Sequence, residues 1–424
     1  MYKSLFLCLL VLLVAGCSVN PVTGKNEVNF MSEAWERETG SKLYYQSRQA
    51  QGGDFILDQR LNNYIKSVNQ RLAAQASRNL DWEIEIINSS IPNAWALPGG
   101  KMAINRGLLT ELNSEAELAA VLGHEIVHAD AAHGAKAQST GMVTQVGALA
   151  AGIYLGNKAE SDLARSSAML LPSLSAALIT QKYSRDAERE SDKYGMRYMS
   201  AAGYDPQGAV NLQETFLRIS EKRNNNWLNG LFASHPPSAE RVQNNRNMAA
   251  KLPSGGELGR QRYQQEIARL NKMRPAYDAY DKGRRAMQKK DYREASKLAN
   301  RAIKLQPQEA LFYSLRGDIY LSQKKLTQAE RAYSQAISRN DGYFYPFLQR
   351  GLVRNQRGDT ERARRDLQRS QQLAPTASAS KALGDLELAR GNQQTAIAYY
   401  QSAARSNSPA GRAAAYQLQQ LSGP

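Results

Sequence analysis

Five consecutive residues, His124-Glu125-Ile126-Val127-His128, combine the side chains needed to bind a metal ion and to activate water. Two histidines four positions apart lie on the same face of a helix, because four residues turn it by about 400°. Zinc suits two neutral imidazoles plus a carboxylate and leaves a fourth position for water, whose pKa it lowers. We therefore predict one zinc ion per chain, held by His124 and His128, with Glu125 as the base that takes the water's proton.

The surrounding sequence predicts the helix that this spacing requires. Ser114 and Glu117 have the spacing of a capping box, and an apolar stripe at helical period follows them. Three of the chain's four histidines lie within residues 124–133, which favours a metal site over a helix that carries histidines by chance. The third of these, His133, lies five residues beyond His128 and so points about 140° away from it. We predict that His133 supports the site without binding the metal.

A third protein ligand is needed, and the acidic run 186–192 is the candidate. Glu188 and Asp192 lie four residues apart and would share one face of a helix. One carboxylate can bind the metal, while the other accepts a ring N–H from a ligating histidine and so selects its tautomer. Composition alone does not decide between this arrangement and a solvated charged face, which is what most such runs form.

The N-terminus has the pattern of an export signal over residues 1–16, with a positively charged start and an apolar stretch too short for a stable membrane anchor. It ends in Ala15-Gly16 before Cys17, which resembles the bacterial lipobox, whose cysteine is lipidated. Because Ser18 is not the aspartate that implies inner-membrane retention, we predict a periplasmic lipoprotein anchored through Cys17 to the inner leaflet of the outer membrane. An ordinary secretory signal, or a buried free cysteine, is the alternative. No cysteine follows Cys17, so we expect no disulfide.

The net charge of +16 suits an anionic partner such as a lipid surface or an acidic protein, although simple solubility also explains it. The basic residues are spread through the C-terminal half without a nucleic-acid motif, so we predict no nucleic-acid binding. Two runs without charge, 137–157 and 166–181, contain polar residues or a proline. Their composition favours a lid over the site rather than a membrane span.

A repetitive region follows a polar segment, 250–270, that contains Pro253 and a Gly-Gly pair. Glycines recur at intervals of 34, 34 and 33 residues, at Gly283, Gly317, Gly351 and Gly384. Small residues also recur twelve and nineteen positions after each glycine, at Ala295, Ala329, Ala363 and Ala396 and at Ala302, Ala336, Ser370 and Ala403. Small residues at this period let paired helices approach closely, which is the tetratricopeptide pattern. We predict four repeats over 275–408 and a final capping helix, forming a concave surface for protein partners, with an unrelated helical bundle as the alternative.

Several separated motifs between residues 20 and 250 resemble the HtpX-like and CaaX-prenyl-protease-like zinc metallopeptidase family. In order, they are Asn93-Ala94-Trp95-Ala96-Leu97-Pro98-Gly99-Gly100, Arg106-Gly107-Leu108-Leu109, Ser114-Glu115-Ala116-Glu117-Leu118 and the His-Glu-x-x-His helix. The family takes its third ligand from a later Glu-x-x-Ala-Asp motif, which stands here as Glu188-Arg189-Glu190-Ser191-Asp192. The resemblance therefore implies that Glu188 binds zinc and that Glu190 is a neighbour, with Ser191 in place of the family's alanine.

The same family carries a His-Pro-Pro segment, which stands here as His235-Pro236-Pro237. In a periplasmic member this histidine can occupy the zinc's fourth position, so the resemblance implies that His235 can displace the catalytic water and hold the enzyme inactive. The alternative is that His235 only packs or caps near the cleft. Downstream in this segment, Arg241 could stabilise an oxyanion on the scissile carbonyl.

Together these features predict an α+β zincin-type metallopeptidase domain, mostly helical with a small sheet, followed by an all-α tetratricopeptide solenoid. Strand candidates for the sheet are 82–86 and 101–105, separated by a tight turn at Pro98-Gly99-Gly100. The predicted divisions are a signal at 1–16, the peptidase at 17–252, a connector at 253–272 and the repeats at 273–424.

The resemblance implies a periplasmic zinc endopeptidase that hydrolyses peptide bonds of misfolded or stalled outer-membrane proteins, and the lipobox-like N-terminus adds the lipid anchor, in which this chain departs from the resemblance. The repeats would engage the barrel-assembly machinery of the outer membrane. A second hypothesis is a chaperone or assembly adaptor whose zinc site is largely latent behind His235. A third is an intramembrane-type protease that uses the two uncharged runs.

Overall fold

The computed structural model describes residues 17–154, 183–222 and 235–421. The predicted signal, 1–16, and the second uncharged run, 166–181, lie outside these residues, and the first uncharged run is described as far as Tyr154. The described residues divide into two compact units. The first unit contains the residues up to Ala268 apart from Gln46–Asp58, and the second contains Gln46–Asp58 together with the chain from Arg269 onward.

Two small sheets contribute the strands of the first unit. A hairpin pairs β1 (Cys17–Val19) with β2 (Asn26–Val28) in antiparallel fashion. The second sheet has the order β3-β5-β4, in which β5 runs parallel to β3 and antiparallel to β4. The bounds of its strands are β3 Glu83–Ile87, β4 Ala94–Leu97 and β5 Lys101–Asn105.

Strand β4 was not predicted from the sequence. Its residues Ala-Trp-Ala-Leu show no alternation of apolar and polar side chains, because all four are buried. The predicted turn at Pro98–Gly100 is a short 3-10 segment in which Gly99 has a φ of 80°. A Cβ at Gly99 would lie 2.8 Å from the Cα of Arg37, so both the backbone angle and the space favour glycine there.

Nine α-helices are described between residues 33 and 266. Their bounds are α1 Glu33–Ala50, α2 Gln59–Ala73, α3 Arg106–Leu109, α4 Glu115–Asp130, α5 His133–Tyr154, α6 Arg185–Ala201, α7 Gln207–Lys222, α8 Ala239–Ala249 and α9 Arg260–Glu266. Among the described residues, no helix combines the length and the apolarity that crossing a membrane requires.

Helix α4, which carries the His-Glu-x-x-His motif, is the centre of this unit, since every one of its residues is buried. Its predicted N-cap is confirmed: Ser114 Oγ accepts a hydrogen bond from the backbone N–H of Glu117 at 3.1 Å. The Glu117 carboxylate accepts a hydrogen bond from the backbone N–H of Asn113 at 3.1 Å. In a standard capping box it would accept from the backbone N–H of Ser114, the N-cap residue. The helix contacts α2, α6, α7 and β4.

The predicted connector, 253–272, contains α9 and contacts the N-terminal end of α4. The backbone N–H of Ala116 donates to the carbonyl of Leu258 at 3.1 Å, and the Tyr263 hydroxyl donates to the carbonyl of Leu109 at 2.6 Å. Arg262 forms a bidentate ion pair with Glu115, the first residue of α4.

The second unit is a series of antiparallel helix pairs. Its helices are α10 Ala268–Gln288, α11 Tyr292–Leu305, α12 Ala310–Ser322, α13 Leu326–Ile337, α14 Phe344–Gln356, α15 Thr360–Leu373, α16 Ala377–Ala389, α17 Gln393–Ala404 and α18 Pro409–Leu421. The end of α1 also belongs to this unit: Gln49 Nε2 donates to the carbonyl of Gly342 at 2.9 Å, and Gln49 Oε1 accepts from the N–H of Phe344 at 3.0 Å.

The repeated small residues lie where the paired helices meet, as predicted. A Cβ at Gly317 would lie 2.5 Å from the ring of Tyr333, and one at Gly384 would lie 2.6 Å from the ring of Tyr400. The alanines twelve residues after each glycine are completely buried at Ala295, Ala329, Ala363 and Ala396. The predicted fold class, a mostly helical domain with a small sheet followed by helical repeats, is therefore confirmed.

The contacts of Glu115 yield a prediction for stability. Burial raises the pKa of this carboxyl, but hydrogen bonds from Arg262, Tyr64 and Tyr204 outweigh it and leave the pKa below its ordinary value. Because the folded-state pKa lies below that of the unfolded chain, this stabilisation is present above the unfolded pKa of about 4.3 and is lost as the pH falls through the folded pKa. We expect Glu115→Gln to lower the free energy of unfolding by about 1.5–3 kcal/mol at pH 7.

Urea unfolding followed by tryptophan fluorescence measures this effect in the first unit, since all four tryptophans precede Ala268. The difference between wild type and Glu115→Gln should shrink when the pH is lowered to about 3. Glu257→Gln is the matched control, because Glu257 pairs with the same Arg262 at 2.6 Å but is half exposed. Equal stability of wild type and Glu115→Gln at pH 7 would contradict the prediction.

Candidate metal centre

The site depends on a close crossing of α4 and α6. Gly123 and Gly195 face each other at this crossing: a Cβ at Gly195 would lie 2.9 Å from the backbone nitrogen of His124, and one at Gly123 would lie 3.0 Å from the carbonyl oxygen of Gly195. Any larger side chain would force the helices apart. The crossing brings Glu188 and Asp192 on α6 next to the histidines of α4.

Four of the predicted site residues form one group of potential metal ligands. Each of His124, His128, Glu188 and His235 offers one ligand atom, and these atoms all lie within 4.8 Å of one another. All four residues are buried, with at most 8% of their surface exposed. Two of the four, the histidines of α4, come from one helix turn, while the others come from α6 and from the segment before α8.

The spacing of these atoms fits a tetrahedral metal ion. Ligand atoms about 2.0–2.1 Å from a tetrahedral zinc are separated by about 3.3 Å. Here the Nε2 atoms of His124 and His128 are 3.0 Å apart, and His124 Nε2 lies 3.3 Å from His235 Nδ1. Glu188 Oε1 lies 3.4 Å from His128 Nε2 and 2.7 Å from His235 Nδ1. Three nitrogens and one oxygen in this arrangement can hold a divalent transition metal.

Burial and neighbouring charges place His128 and Glu188 in the protonation states that metal binding needs. Burial lowers the pKa of His128 well below its ordinary value, so the ring is neutral. Burial would raise the pKa of Glu188, but the charges of His235 and His124 and the hydrogen bonds from His128 and His235 hold it below its ordinary range. The carboxylate and the neutral imidazole are the forms that act as ligands.

Asp192 and Arg241 support His124 from the side opposite the ligand group. Asp192 Oδ1 accepts a hydrogen bond from His124 Nδ1 at 3.0 Å, which leaves the Nε2 lone pair free for a metal, as predicted for one carboxylate of the acidic run. Burial raises the pKa of Asp192, but the Arg241 guanidinium and His124 outweigh this effect and leave the pKa below its ordinary value. The carboxylate is therefore ionised.

The guanidinium of Arg241 contacts the carboxylates of Asp192 and Glu188. It donates to Asp192 through Nε at 2.8 Å and Nη2 at 2.7 Å, and its Nη1 lies 3.1 Å from Glu188 Oε2. We predicted Arg241 as an oxyanion stabiliser. Its contacts show that it orients Asp192 and Glu188, and the oxyanion role stays a prediction. Sequence reasoning missed this pairing, because the partners lie 49 residues apart.

His133 lies outside the ligand group, as predicted, and contacts His128 instead. Its Nδ1 is 2.9 Å from His128 Nδ1, and its Nε2 is 3.2 Å from Glu190 Oε1. Tyr183 stacks on the other side of the His128 ring, with centroids 3.9 Å apart. The sequence carried no signal for Tyr183, because it precedes α6 outside any periodic pattern.

His235 lies between the two carboxylates that define the site. Its Nδ1 is 2.7 Å from Glu188 Oε1, and its Nε2 is 3.5 Å from Glu125 Oε1. Burial lowers the pKa of His235, but the charges of Glu125 and Glu188 outweigh this and raise it. These two distances place His235 on the side of the ligand group that faces Glu125.

A pocket opens beside Glu125 and His124. Six of its fourteen lining residues are apolar and come from α4, α6 and α7, at Ala120, Val121, Met196, Ala209, Leu212 and Phe216. Gln213 also lines it, and no described residue forms a hydrogen bond with its buried Oε1. His235 and Arg241 form part of the same wall.

Comparisons with known proteins match one family to the first unit and another to the second. Residues 59–249 match the model of Peptidase family M48, and residues 280–343 and 348–411 match the tetratricopeptide repeat model. The beta-barrel assembly-enhancing protease of Escherichia coli is 26% identical over 337 residues, which are 73% of this chain and 68% of that protein. The mitochondrial metalloendopeptidase OMA1 of Schizosaccharomyces pombe is 30% identical over 227 residues, which are 53% of this chain and 64% of that protein. Among solved structures, MamA aligns with 39% of this chain and 90% of its own at 17% identity and a TM-score of 0.29.

The ligand group yields a prediction for metal binding. Glu188→Gln replaces an anionic ligand by a neutral amide of the same size. We expect zinc affinity to fall by more than the roughly 10–100-fold that loss of an outer-shell partner costs. Competition with a chromophoric chelator measures this. Glu214→Gln is the matched control, because Glu214 pairs with Arg246 at 2.6 Å on the exposed surface. Equal zinc affinity of Glu188→Gln and this control would exclude Glu188 as a ligand.

Proposed function

We propose that this chain, which contains a peptidase domain of family M48 followed by tetratricopeptide repeats, is a zinc metalloendopeptidase. The observation that carries the proposal is the buried ligand group of His124, His128 and Glu188 with Glu125 beside it. Three protein ligands leave a fourth position for water and substrate, which is the arrangement of catalytic rather than structural zinc.

Each residue then has a defined task in peptide hydrolysis. When bound, zinc supplies the Lewis acidity that activates water and polarises the scissile carbonyl. Glu125 takes the proton of the attacking water and passes it to the leaving amine. Asp192 holds the His124 ring in the tautomer that faces the ligand group. Arg241 keeps Asp192 ionised and holds both Asp192 and Glu188 in place.

His235 is proposed as an autoinhibitory residue at the same centre. Its Nδ1 lies 3.3 Å from Nε2 of His124 and 2.7 Å from Oε1 of Glu188, whereas its Nε2 lies 3.5 Å from Oε1 of Glu125. A fourth protein nitrogen would occupy the position that water needs. Activity would therefore require His235 to move out of the ligand group, which is a gating step of the kind that sets turnover in many enzymes.

The proposed substrates are misfolded or stalled outer-membrane proteins, and the proposed address is the periplasmic face of the outer membrane. Support comes from the relative named for enhancing beta-barrel assembly, which is similar over both the peptidase and the repeats. The lipobox-like segment before Cys17 supports a lipid anchor. The repeats offer a surface for protein partners, for which we propose the barrel-assembly machinery.

The second candidate is an adaptor or chaperone for outer-membrane proteins with a latent metal site. The position of His235 favours it, because a ligand group closed by a third histidine resembles structural zinc. The two functions differ in whether Glu125 is needed.

Proteolysis of an unfolded outer-membrane protein separates these functions. We expect Glu125→Gln to lower the rate by at least about 10²–10⁴-fold, because it removes the base while leaving the ligands intact. His235→Ala should cleave faster than wild type, since the fourth position is then open. Zinc content, measured in parallel, should stay at one ion per chain in Glu125→Gln. If all three proteins bind zinc and none cleaves, the adaptor function is favoured.

The pocket beside Glu125 is proposed to bind the substrate side chain that follows the scissile bond. Glu125 delivers its proton to the leaving amine, so the residue that contributes this amine lies on the Glu125 side of the site. The apolar residues of its lining suit an apolar side chain.

Ala209→Phe tests this pocket by filling it. We expect kcat/KM for peptides with leucine or phenylalanine after the scissile bond to fall about 10–200-fold relative to peptides with alanine there. Ala201→Phe is the matched control, because Ala201 is exposed at the end of α6. An equal loss for both peptide sets would show that the pocket does not select this side chain.

A further inference from the structure

The two histidines of α4 are supported in different ways. His124 has the common arrangement in which a carboxylate, Asp192, accepts the ring N–H that faces away from the ligand group. No carboxylate is described at the corresponding nitrogen of His128. Its Nδ1 lies 2.9 Å from Nδ1 of a second histidine, His133, whose side chain is 5% exposed.

The contacts of His133 determine where the protons lie. Its Nε2 is 3.2 Å from Glu190 Oε1, and an ionised carboxylate only accepts hydrogen bonds. His133 therefore carries its proton on Nε2 and leaves Nδ1 as an acceptor. Nδ1 of His128 must then be the donor in the 2.9 Å contact, which leaves Nε2 of His128 with the lone pair that faces the ligand group.

The carboxylate of Glu190 is in turn held by the N-terminal hairpin. Asn20 lies in the turn between β1 and β2, is 1% exposed, and donates from Nδ2 to Glu190 Oε1 at 2.8 Å. Its side-chain oxygen accepts the backbone N–H groups of Val22 at 2.9 Å and Thr23 at 3.2 Å, so the turn itself orients the amide. This segment lies 170 residues from Glu190 in the sequence.

Two further contacts hold the hairpin and the residues after it on helix α5. Lys136 forms an ion pair with Glu27 of β2, and Ser139 Oγ accepts the backbone N–H of Phe30 at 3.0 Å. The position of Asn20 is therefore set by its own turn and by α5, which also begins with His133.

We infer that Asn20, Glu190 and His133 are positioning residues that act in series on His128, and that the N-terminal hairpin is thereby part of the metal centre. This inference rests on the proposed zinc site. The hairpin adds a ligand-orienting contact rather than only covering the surface, because the buried amide of Asn20 joins the chain of hydrogen bonds that starts at His128 and links it to Glu27 at 3.2 Å.

Zinc affinity of the full-length chain tests the inference without using peptidase activity. His133→Phe keeps a ring but removes both nitrogens, and we expect zinc affinity to fall about 10–100-fold. Asn20→Leu should cause a smaller loss, up to about 10-fold, because Glu190 and His133 remain. Asn29→Leu is the matched control: Asn29 follows the same hairpin and contacts Ser139 at 3.3 Å but does not reach Glu190.

Double variants separate action in series from general weakening of the fold. If Asn20 acts only through Glu190 and His133, adding Asn20→Leu to His133→Phe or to Glu190→Ala causes no further loss of zinc affinity. Urea unfolding of the metal-free variants measures any loss of stability separately. Zinc affinity of Asn20→Leu equal to wild type, or losses that add in the double variants, would overturn the inference. A wild type that binds zinc tightly yet cleaves nothing would overturn the proposed peptidase but leave this inference standing if the double variants behave as expected.

Discussion

The first unit depends on the complete burial of α4. This helix carries Glu115, Glu117, His124, Glu125, His128 and Asp130, and all six are at most 8% exposed. A buried ionisable group is costly unless it is paired and hydrogen-bonded, so each of these side chains requires specific partners from other elements. Asp130, for example, accepts hydrogen bonds from the backbone N–H groups of Ser77 and Arg78 and from the Tyr198 hydroxyl. The surrounding helices and loops supply these partners, and in doing so they position the site.

The near-contact of Gly123 with Gly195 explains how the partners reach the two histidines. It lets α6 lie directly against α4, so that Glu188 and Asp192 meet His124 and His128. Support then divides between two sides of the site. Helix α8 contributes Arg241 behind His124, whereas α5 and the N-terminal hairpin contribute the contacts behind His128.

Much of this arrangement could be predicted from local spacing. The ligand face of α4, its N-cap at Ser114, and the close-packed small residues of the repeats all follow from periods of a few residues or of about 34 residues. Strand β4 could not be predicted, because its four buried residues lack alternation. The contacts of Arg241 with Asp192 and of Asn20 with Glu190 were also out of reach, since they join residues 49 and 170 positions apart. Periodicity describes one element, whereas these contacts depend on how separate elements pack.

The position of His235 would link the proposed autoinhibition to every part of the proposed mechanism. Its ring contacts Glu188 in the ligand group, lies beside Glu125, and forms part of the wall of the apolar pocket. One displacement of this side chain would therefore open the fourth metal position, free the base and enlarge the pocket at the same time. The contacts of Asn20, Glu190 and His133 lie on the far side of His128 and do not involve His235. The ligands on α4 can thus keep their orientation while His235 moves, because the groups that hold His128 are separate from the group that would block the site.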